Sequence, residues 1–433
     1  MRRKVLILCL VACCCLCGRS QRVSGVSGMK ERVGMSARMG WQEYAVDSAA
    51  TGTLGVELDA LAFFKDNEFD GSVQRGYSLP GFRVQPRLAY CPLDEVKLEI
   101  GFHATVYDGA NKYPCYAFHD IATWKGDQYQ AGAHVLPFLR ATGRFRHVTV
   151  AVGNIYGGAT HALAEPLYNP ELILSDDPEM GCQVLVDTKR WHSDLWLNWQ
   201  SYIFEESTHQ EAFTVGWTQE IELWSGRAKG RVAHNLSLPI QLMAQHRGGE
   251  QDKTSLGVQT LVNAALGLRY SYAGASSRGL TGASVELLGL GCYQQSGRLW
   301  PFNSGWGMWL GGSVDFFRDL RLQAALFTSR DFCTLYGSPY FGTVSTKFEG
   351  GHFSSMTTAL LGVEYSRTFA GVYTIGAHIK CYLNRTGSLT RPADENHSEP
   401  YTVGGEFRTP FSFGVYFRLS PSFLLMKRVK RIE

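Results

Sequence analysis

The feature that most constrains the fold is a strict alternation of apolar and polar residues, which recurs over most of the chain. In one such segment Val96, Leu98, Ile100 and Phe102 alternate with charged, polar or small residues. A period of two is that of a β-strand, whose successive side chains point to opposite faces. Many segments reach the roughly nine to eleven residues that a tilted strand needs to cross a bilayer. The pattern therefore predicts an all-β chain whose strands cross a membrane.

The connections between these segments alternate between short and long. Short turns, such as 92–95, 146–147 and 318–319, alternate along the chain with polar loops. The longest loops are predicted at 65–81, 108–130, 157–181, 331–355 and 384–409. Tight periplasmic turns and extended outer loops are typical of an outer-membrane barrel. We therefore predict a transmembrane, antiparallel, up-and-down β-barrel of about 16 strands, within a range of roughly 14 to 18.

The N-terminus has the pattern of a secretion signal. Arg2, Arg3 and Lys4 precede an apolar core that is too short to span a bilayer. We predict a signal peptide over 1–20, cleaved after Ser20; the alternative is a lipoprotein with a lipidated Cys13. The predicted order continues with a polar leader (21–52), the barrel (53–420) and a basic C-terminal tail (421–433). The predicted location is the outer membrane of a Gram-negative bacterium.

The composition narrows the set of partners. Charged residues make up only 19% of the chain and the net charge is +3, with basic residues scattered along the sequence. This distribution gives no reason to expect binding to nucleic acid. The cysteines that follow the signal have no metal-ligand spacing, and pairing of Cys115 with Cys182, both in predicted outer loops, stays open. No metal site and no cofactor are predicted.

The last predicted strand, Phe411–Leu419, carries a second signal. Ser412 and Gly414 share its polar face, whereas Phe417 and Leu419 lie on the apolar face. This order resembles the C-terminal assembly signal of bacterial outer-membrane barrels, whose apolar face meets lipid. The strand is expected to pair with 54–64 and so to close the barrel.

Together with this strand, the loop pattern and the stretches 77–82 and 165–172 make the chain resemble porin-type barrels, including uncharacterised barrels of the Bacteroidota. The resemblance extends over about 53–419. It implies outer-membrane lipid and the barrel-assembly machinery as partners. Because general porins are usually trimers, it also implies a homo-trimer.

Charges on the polar face of the strands predict a watery lumen. The predicted pore-lining residues are Arg83, Arg87, Lys97, Arg140, Arg144, Glu57, Asp59, Glu99, Glu220 and Glu222. The third long loop carries Glu165, Glu171, Asp176, Asp177 and Glu179. General porins set arginines on one wall against acids on an inward-folded third loop. The resemblance implies such a constriction here, with selection by charge.

The predicted function is a porin-like channel for passive, size- and charge-filtered diffusion of small hydrophilic solutes, sugars among them. The alternative is a non-conducting barrel that acts as a surface receptor, an adhesin or a partner platform. An outer-membrane hydrolase ranks below both. Asp176 with Asp177, and His119 with Asp120, resemble the paired residues of omptin-type proteases, but His147 has no serine partner for lipid hydrolysis. The protein is therefore expected not to be an enzyme.

Overall fold

The computed structural model describes residues 46–107, 133–157, 160–203, 207, 209–228, 231–249, 257–274, 279–317 and 319–427. The predicted signal peptide and most of the leader lie outside the described residues, together with Cys115, His119 and Asp120. Residues 428–433 of the predicted tail also lie outside them.

Sixteen antiparallel strands close into a barrel, which confirms the predicted fold class. In chain order the strands are β1 (Thr53–Glu68), β2 (Tyr77–Leu93), β3 (Val96–Tyr107), β4 (Ala133–Phe145), β5 (Val148–Asn154), β6 (Met180–Asp187), β7 (Trp191–Ser201), β8 (Ala212–Ala228), β9 (Arg231–Arg247), β10 (Gln259–Ala273) and β11 (Leu280–Ser296). They continue with β12 (Ser304–Phe316), β13 (Leu320–Arg330), β14 (His352–Phe353), β15 (Met356–Phe369), β16 (Tyr373–Thr386), β17 (Leu389–Arg391), β18 (Tyr401–Val403), β19 (Phe407–Arg408), β20 (Phe411–Leu419) and β21 (Ser422–Lys427). The segments β19, β20 and β21 together form the closing strand, the sixteenth of the barrel, and β14, β17 and β18 lie outside it.

The short strands β14, β17 and β18 form a separate three-stranded sheet in the outer connections. The one described α-helix is α1 (Leu172–Ser175), and 3-10 turns lie at Ser48–Ala50 and Pro339–Phe341. Among the described residues, no helix combines the length and the apolar character that a membrane span requires.

The barrel closes between β1 and the last strand, as predicted. β20 pairs with β1 from Ala60 opposite Leu419 to Glu68 opposite Phe411. Beyond a short break at Pro421, β21 continues the same edge and pairs with the first residues of β1. This corrects the predicted end of the barrel at 420, since part of the predicted tail completes the closing strand. Closure joins the first strand to the last, so neither of the two is an open edge of the sheet.

The faces of β20 follow the predicted alternation. The side chains of Phe413, Val415 and Phe417 are exposed on the outer surface, whereas Ser412 is buried inside the barrel. A Cβ atom on Gly414 would lie 2.5 Å from the ring of His378. A side chain at this position would therefore have to displace the His378 ring. A role of this strand in assembly stays a prediction.

Two of the outer connections, described over 155–157 with 160–179 and over 331–355, fold into the barrel, and we call these described residues together the plug. They are joined by a parallel bridge between Tyr168 and Tyr336. The backbone N–H of Asn169 also donates to the carbonyl oxygen of Tyr336 at 2.6 Å. The two segments therefore form one body inside the barrel, although they are far apart in sequence.

The plug fills the outer half of the lumen with an apolar core. The Phe341 ring meets Trp309 of β12 at 5.1 Å and Phe327 of β13 at 5.5 Å between ring centroids. The Tyr340 ring stacks on Tyr382 of β16 at 4.9 Å. These rings belong to one continuous cluster of buried apolar residues. Here the barrel encloses a packed core of the kind found in soluble proteins.

Because the outer face of the barrel is in contact with lipid, a charged side chain introduced there should destabilise the fold by an amount that depends on its depth in the bilayer. Val415 is the central residue of β20 and faces outward, so Val415→Arg should destabilise the folded barrel by about 2–4 kcal/mol. Phe369 also faces outward but lies beside the tight turn before β16, and Phe369→Arg should have an effect of about 0–1 kcal/mol. Equilibrium unfolding in lipid vesicles measures both values. Equal effects at the two positions would contradict the membrane placement.

Candidate functional site

The inner half of the lumen holds a closed network of charges. Glu57 accepts ion pairs from Lys97 at 2.7 Å and from Arg87 at 3.2 Å. Glu99 lies 3.4 Å from both of these cations and 3.5 Å from Arg140. Arg140 also lies over the ring of Tyr156, 4.2 Å from its centroid. The charges of this wall are therefore compensated mainly by one another.

Four of the other five predicted pore-lining residues have local partners as well. Asp59 accepts two hydrogen bonds from Arg418, at 2.9 and 3.0 Å. Glu220 lies 3.3 Å from Arg269 on β10. The remaining three residues are placed as follows: Arg83 donates to the carbonyl oxygen of Ile173 at 2.6 Å, Glu222 accepts from Ser225 at 2.9 Å, and Arg144 is half-buried near the inner end of β4.

The acidic residues of the third connection do fold inward, but they do not face the arginines. Glu165 binds Lys380 of β16 at 2.7 and 2.8 Å. Glu171 binds Lys65 and Tyr77 and accepts from Asn67 at 3.0 Å. Burial alone would raise the pKa of Glu171, but the Lys65 ammonium and these hydrogen bonds hold it below its usual value. These acids fasten the plug to the wall, and their role in a constriction stays a prediction.

Five residues of the same connection line a narrow cavity between the plug and the wall. Asp176 and Glu179 line it together with His161, Trp196 and Tyr336. The sequence neighbour Asp177 donates its backbone N–H to the Asp176 carboxylate at 2.9 Å. Within the described part of the chain, no group of three or more His, Cys, Asp or Glu side chains is placed to hold a metal ion.

His161 is the central polar group of this cavity. Its Nδ1 lies 2.8 Å from the Asp194 carboxylate of β7 and its Nε2 lies 3.0 Å from that of Glu179. The ring also stacks on Trp196, with centroids 3.6 Å apart. Burial alone would lower the pKa of His161, but the two carboxylates raise it to about 9. The imidazolium therefore links the plug to the barrel wall.

A second polar site lies outside the barrel, on the surface that faces lipid. His246 of β9, Thr260 of β10 and Ser296 of β11 are register neighbours. The Thr260 hydroxyl lies 2.9 Å from His246 Nδ1 and accepts a hydrogen bond from Ser296 at 2.8 Å. His246 Nε2 lies 3.0 Å from the carbonyl oxygen of Gly248. We call these three side chains the rim site, because each lies within two residues of the outer end of its strand.

Aromatic side chains extend the rim site across two further strands. Phe213 of β8 is the register neighbour of His246, and Trp199 of β7 is the neighbour of Phe213. Successive ring centroids are 5.1 Å apart in both pairs. Aromatic girdles mark the interfaces of membrane barrels. The rim site therefore lies at the outer interface of the membrane.

The rim site has the parts of a nucleophile with its base. A carbonyl oxygen at Nε2 selects the tautomer in which Nδ1 accepts a proton, and Nδ1 contacts the Thr260 hydroxyl. A hydroxyl within hydrogen-bond reach of an oriented imidazole can act as a nucleophile.

The sequence prediction missed the rim site because its members are brought together by strand register. His147, for which the sequence predicts no serine partner in lipid hydrolysis, lies at a turn, 3.2 Å from the carbonyl oxygen of Asp187. One local signal was available: His246 and Thr260 are polar residues at outward positions, where the alternation predicts apolar side chains. Their proximity could not be inferred without the pairing of β9, β10 and β11.

The closed barrel, its outward apolar surface and its interfacial aromatic residues define an outer-membrane β-barrel protein. A family model described as lipid A 3'-O-deacylase-type matches residues 46–428. The chain belongs to this family. The prediction that the protein is not an enzyme is corrected by this match, because the family is described by an enzymatic activity.

Solved structures with remote similarity are outer-membrane proteins. OccAB4 of Acinetobacter baumannii has 7% identity and a TM-score of 0.44, covering 86% of this chain and 99% of that one. OmpT of Vibrio cholerae, in a trimer form, has 11% identity and a TM-score of 0.45, covering 86% and 99%. OccK5 of Pseudomonas aeruginosa has 12% identity and a TM-score of 0.43, covering 87% and 99%. Similarities this remote do not identify an activity, and a search of curated proteins gives no match.

The His161 contacts predict that attachment of the plug depends on pH. The pKa of His161 is about 9 in the folded protein against 6.5 for the free side chain, so the stabilisation is complete below about 6.5 and is lost as the pH rises through 9. Hydrogen exchange of residues 160–179, corrected for intrinsic rates, should therefore accelerate between pH 7 and 9.5. In His161→Gln this pH dependence should be absent. An unchanged profile in the variant would show that His161 is not the titrating group.

Proposed function

We propose that this protein is an outer-membrane hydrolase that removes an ester-linked acyl chain from lipid A in the outer leaflet. The observation that carries the proposal is the rim site, where His246 contacts Thr260 on the lipid-facing surface at the outer interface. An ester between a sugar and an acyl chain lies at this depth, since the sugar is in the headgroup layer and the chain is in the hydrocarbon. The family description supports the same class of substrate.

In the proposed reaction, Thr260 Oγ1 attacks the ester carbonyl while His246 Nδ1 takes the hydroxyl proton. The imidazolium then returns the proton to the sugar oxygen as it leaves, and the acyl group stays on Thr260. Water, activated by the same imidazole, hydrolyses this acyl-enzyme and regenerates the hydroxyl. The Gly248 carbonyl keeps the ring oriented, and the Ser296 hydroxyl supports Thr260 by its hydrogen bond.

The reaction predicts a sharp dependence on the two central side chains. His246→Ala should lower the rate of acyl release by about 10²–10⁴-fold, because the general base is removed. Thr260→Val keeps the shape but removes the hydroxyl and should abolish release, whereas Thr260→Ser keeps a nucleophile and should retain measurable activity. Mass spectrometry of lipid A incubated with the purified barrel in vesicles measures these rates.

His234 provides a matched control, because it lies on the same strand and the same outward face. It contacts the Tyr270 hydroxyl at 2.6 Å near the inner end of β9. His234→Ala should leave acyl release unchanged, since this ring lies at the opposite side of the membrane. Full activity of both His246→Ala and Thr260→Val would exclude the rim site as the centre of hydrolysis.

The passive channel is a second candidate, and the size of the barrel favours it. A barrel of sixteen strands leaves an aqueous lumen unless it is plugged, and the inner half is lined by charged residues such as Arg87 and Glu99. Against this, the apolar core around Phe341 occupies the outer half of the lumen. Diffusion of small hydrophilic solutes would therefore require displacement of the plug. A surface-receptor role is compatible with the closed lumen.

Conductance measurements in planar bilayers distinguish the channel function from the hydrolase function. The wild-type protein should give no stable conductance steps, because the plug obstructs the lumen. Replacement of 332–345 by a short glycine-serine linker should produce steady conductance, because it removes the aromatic side chains that fill the outer half. Stable steps in the wild-type protein, with a solute-size cutoff, would place the channel first.

The proposed partners follow from the location. Outer-membrane lipid contacts the outward face, and we infer that insertion depends on the barrel-assembly machinery through the strand that contains Ser412, Gly414, Phe417 and Leu419. A homo-trimer would cover part of the outward surface. If the rim site acts on lipid, the face formed by β9 to β11 must stay outside any such interface.

A further inference from the structure

Two cysteines meet where the plug touches the barrel wall. Cys292 faces inward from β11, and Cys333 lies in the plug segment 331–355. The backbone N–H of Cys333 donates to Cys292 Sγ at 3.4 Å, and the Cys292 thiol donates to the carbonyl oxygen of Asp331 at 3.4 Å. Both side chains are buried, with 5% of Cys292 and 1% of Cys333 exposed. The contact therefore joins a fixed strand to the loop that fills the lumen.

The surroundings hold the two thiols in place. Asn263 of β10 donates its side-chain amide to the carbonyl oxygen of Cys333 at 2.8 Å. The adjacent Phe332 ring packs against Phe327 of β13, with centroids 5.9 Å apart. A hydrogen bond with the Cys292 thiol, together with burial, raises the pKa of the Cys333 thiol well above its usual value. Because both thiols are buried, an oxidant reaches them only before the final packing of the plug.

We propose that Cys292 and Cys333 form a disulfide that fastens the plug to the barrel wall. Both cysteines are free thiols in the structure, and the geometry that carries the proposal is the 3.4 Å approach of the Cys333 backbone N–H to Cys292 Sγ. An outer-membrane protein assembles in an oxidising compartment, in which disulfides form and persist. This proposal does not depend on the proposed hydrolase activity, because it concerns only the attachment of 331–355.

The bond forms by thiol–disulfide exchange with a disulfide-bearing protein of the periplasm. The thiolate of one cysteine attacks a sulfur of the oxidant's disulfide, which gives a mixed disulfide and releases one oxidant thiolate. The thiolate of the second cysteine then attacks the sulfur of the first, forms the Cys292–Cys333 bond and releases the other oxidant thiolate. The two protons lost by the cysteines are taken up by the two oxidant thiolates. The cysteines are oxidised by two electrons, and the oxidant is reduced by two.

Peptide mapping of the native protein tests the proposal. Cell envelopes are denatured in the presence of N-ethylmaleimide without reductant, so that every free thiol is labelled. We expect the Cys292 and Cys333 peptides to be unlabelled and recovered as one cross-linked species that reductant separates. Cys91 and Cys381 serve as internal controls and should be labelled. Complete labelling of both Cys292 and Cys333 would overturn the proposal.

A second measurement examines what the bond does. Reduction of the wild-type protein should increase the hydrogen exchange of 331–355 by several-fold, because the segment loses its covalent attachment. The double variant Cys292→Ser with Cys333→Ser should exchange at the raised rate and should not respond to reductant. Cys381→Ser provides the matched control and should behave as the wild type. A response to reductant that persists in the double variant would contradict the assignment.

Discussion

The structure depends on one constraint: backbone N–H and C=O groups that cross the hydrocarbon layer must all be hydrogen-bonded within the protein. The pairing of β1 with β20 and β21 meets this constraint, because it supplies partners along nearly the whole first strand. The break at Pro421 is tolerated since Leu58 donates to the Pro421 carbonyl oxygen at 3.0 Å. Once the barrel is closed, every inward side chain must be solvated, paired or packed. The described interior pairs its charges near the inner end and packs apolar side chains near the outer end.

The interior is divided between charge pairs and apolar packing, and this division separates the candidate functions. Near β1 to β4 the charges of Glu57, Arg87 and Glu99 compensate one another within the wall. Towards the outer end, Tyr336 and Phe341 of the plug occupy the space that a channel would leave for water. The chemistry on the outward surface does not require an open lumen. A lipid-directed activity and a filled barrel are therefore physically compatible.

The strands could be predicted from sequence because their signal is local, whereas the plug and the rim site could not. Alternation along 96–106 or 411–419 indicates which face of the strand is polar and which is apolar, even when the neighbouring strands are not known. The plug depends on contacts such as Tyr168 with Tyr336, which are remote in sequence. A polar residue in a loop, such as Glu171, is expected from the sequence to be exposed to solvent. In the fold, however, Glu171 is buried beside Lys65. The rim site depends on register, which alternation alone does not determine.

Packing of the plug has a consequence for the fidelity of strand pairing. On β13, the neighbours Ala325 and Phe327 face the plug while Leu326 faces lipid, so both sides of this stretch are apolar. A slip of one residue here would exchange one apolar face for another. The same slip at β3 would move Lys97 and Glu99 into hydrocarbon, at a much larger free-energy penalty. The correct register of the barrel is thus specified chiefly by its charged strands. The register of the apolar strands is then set by pairing with their neighbours.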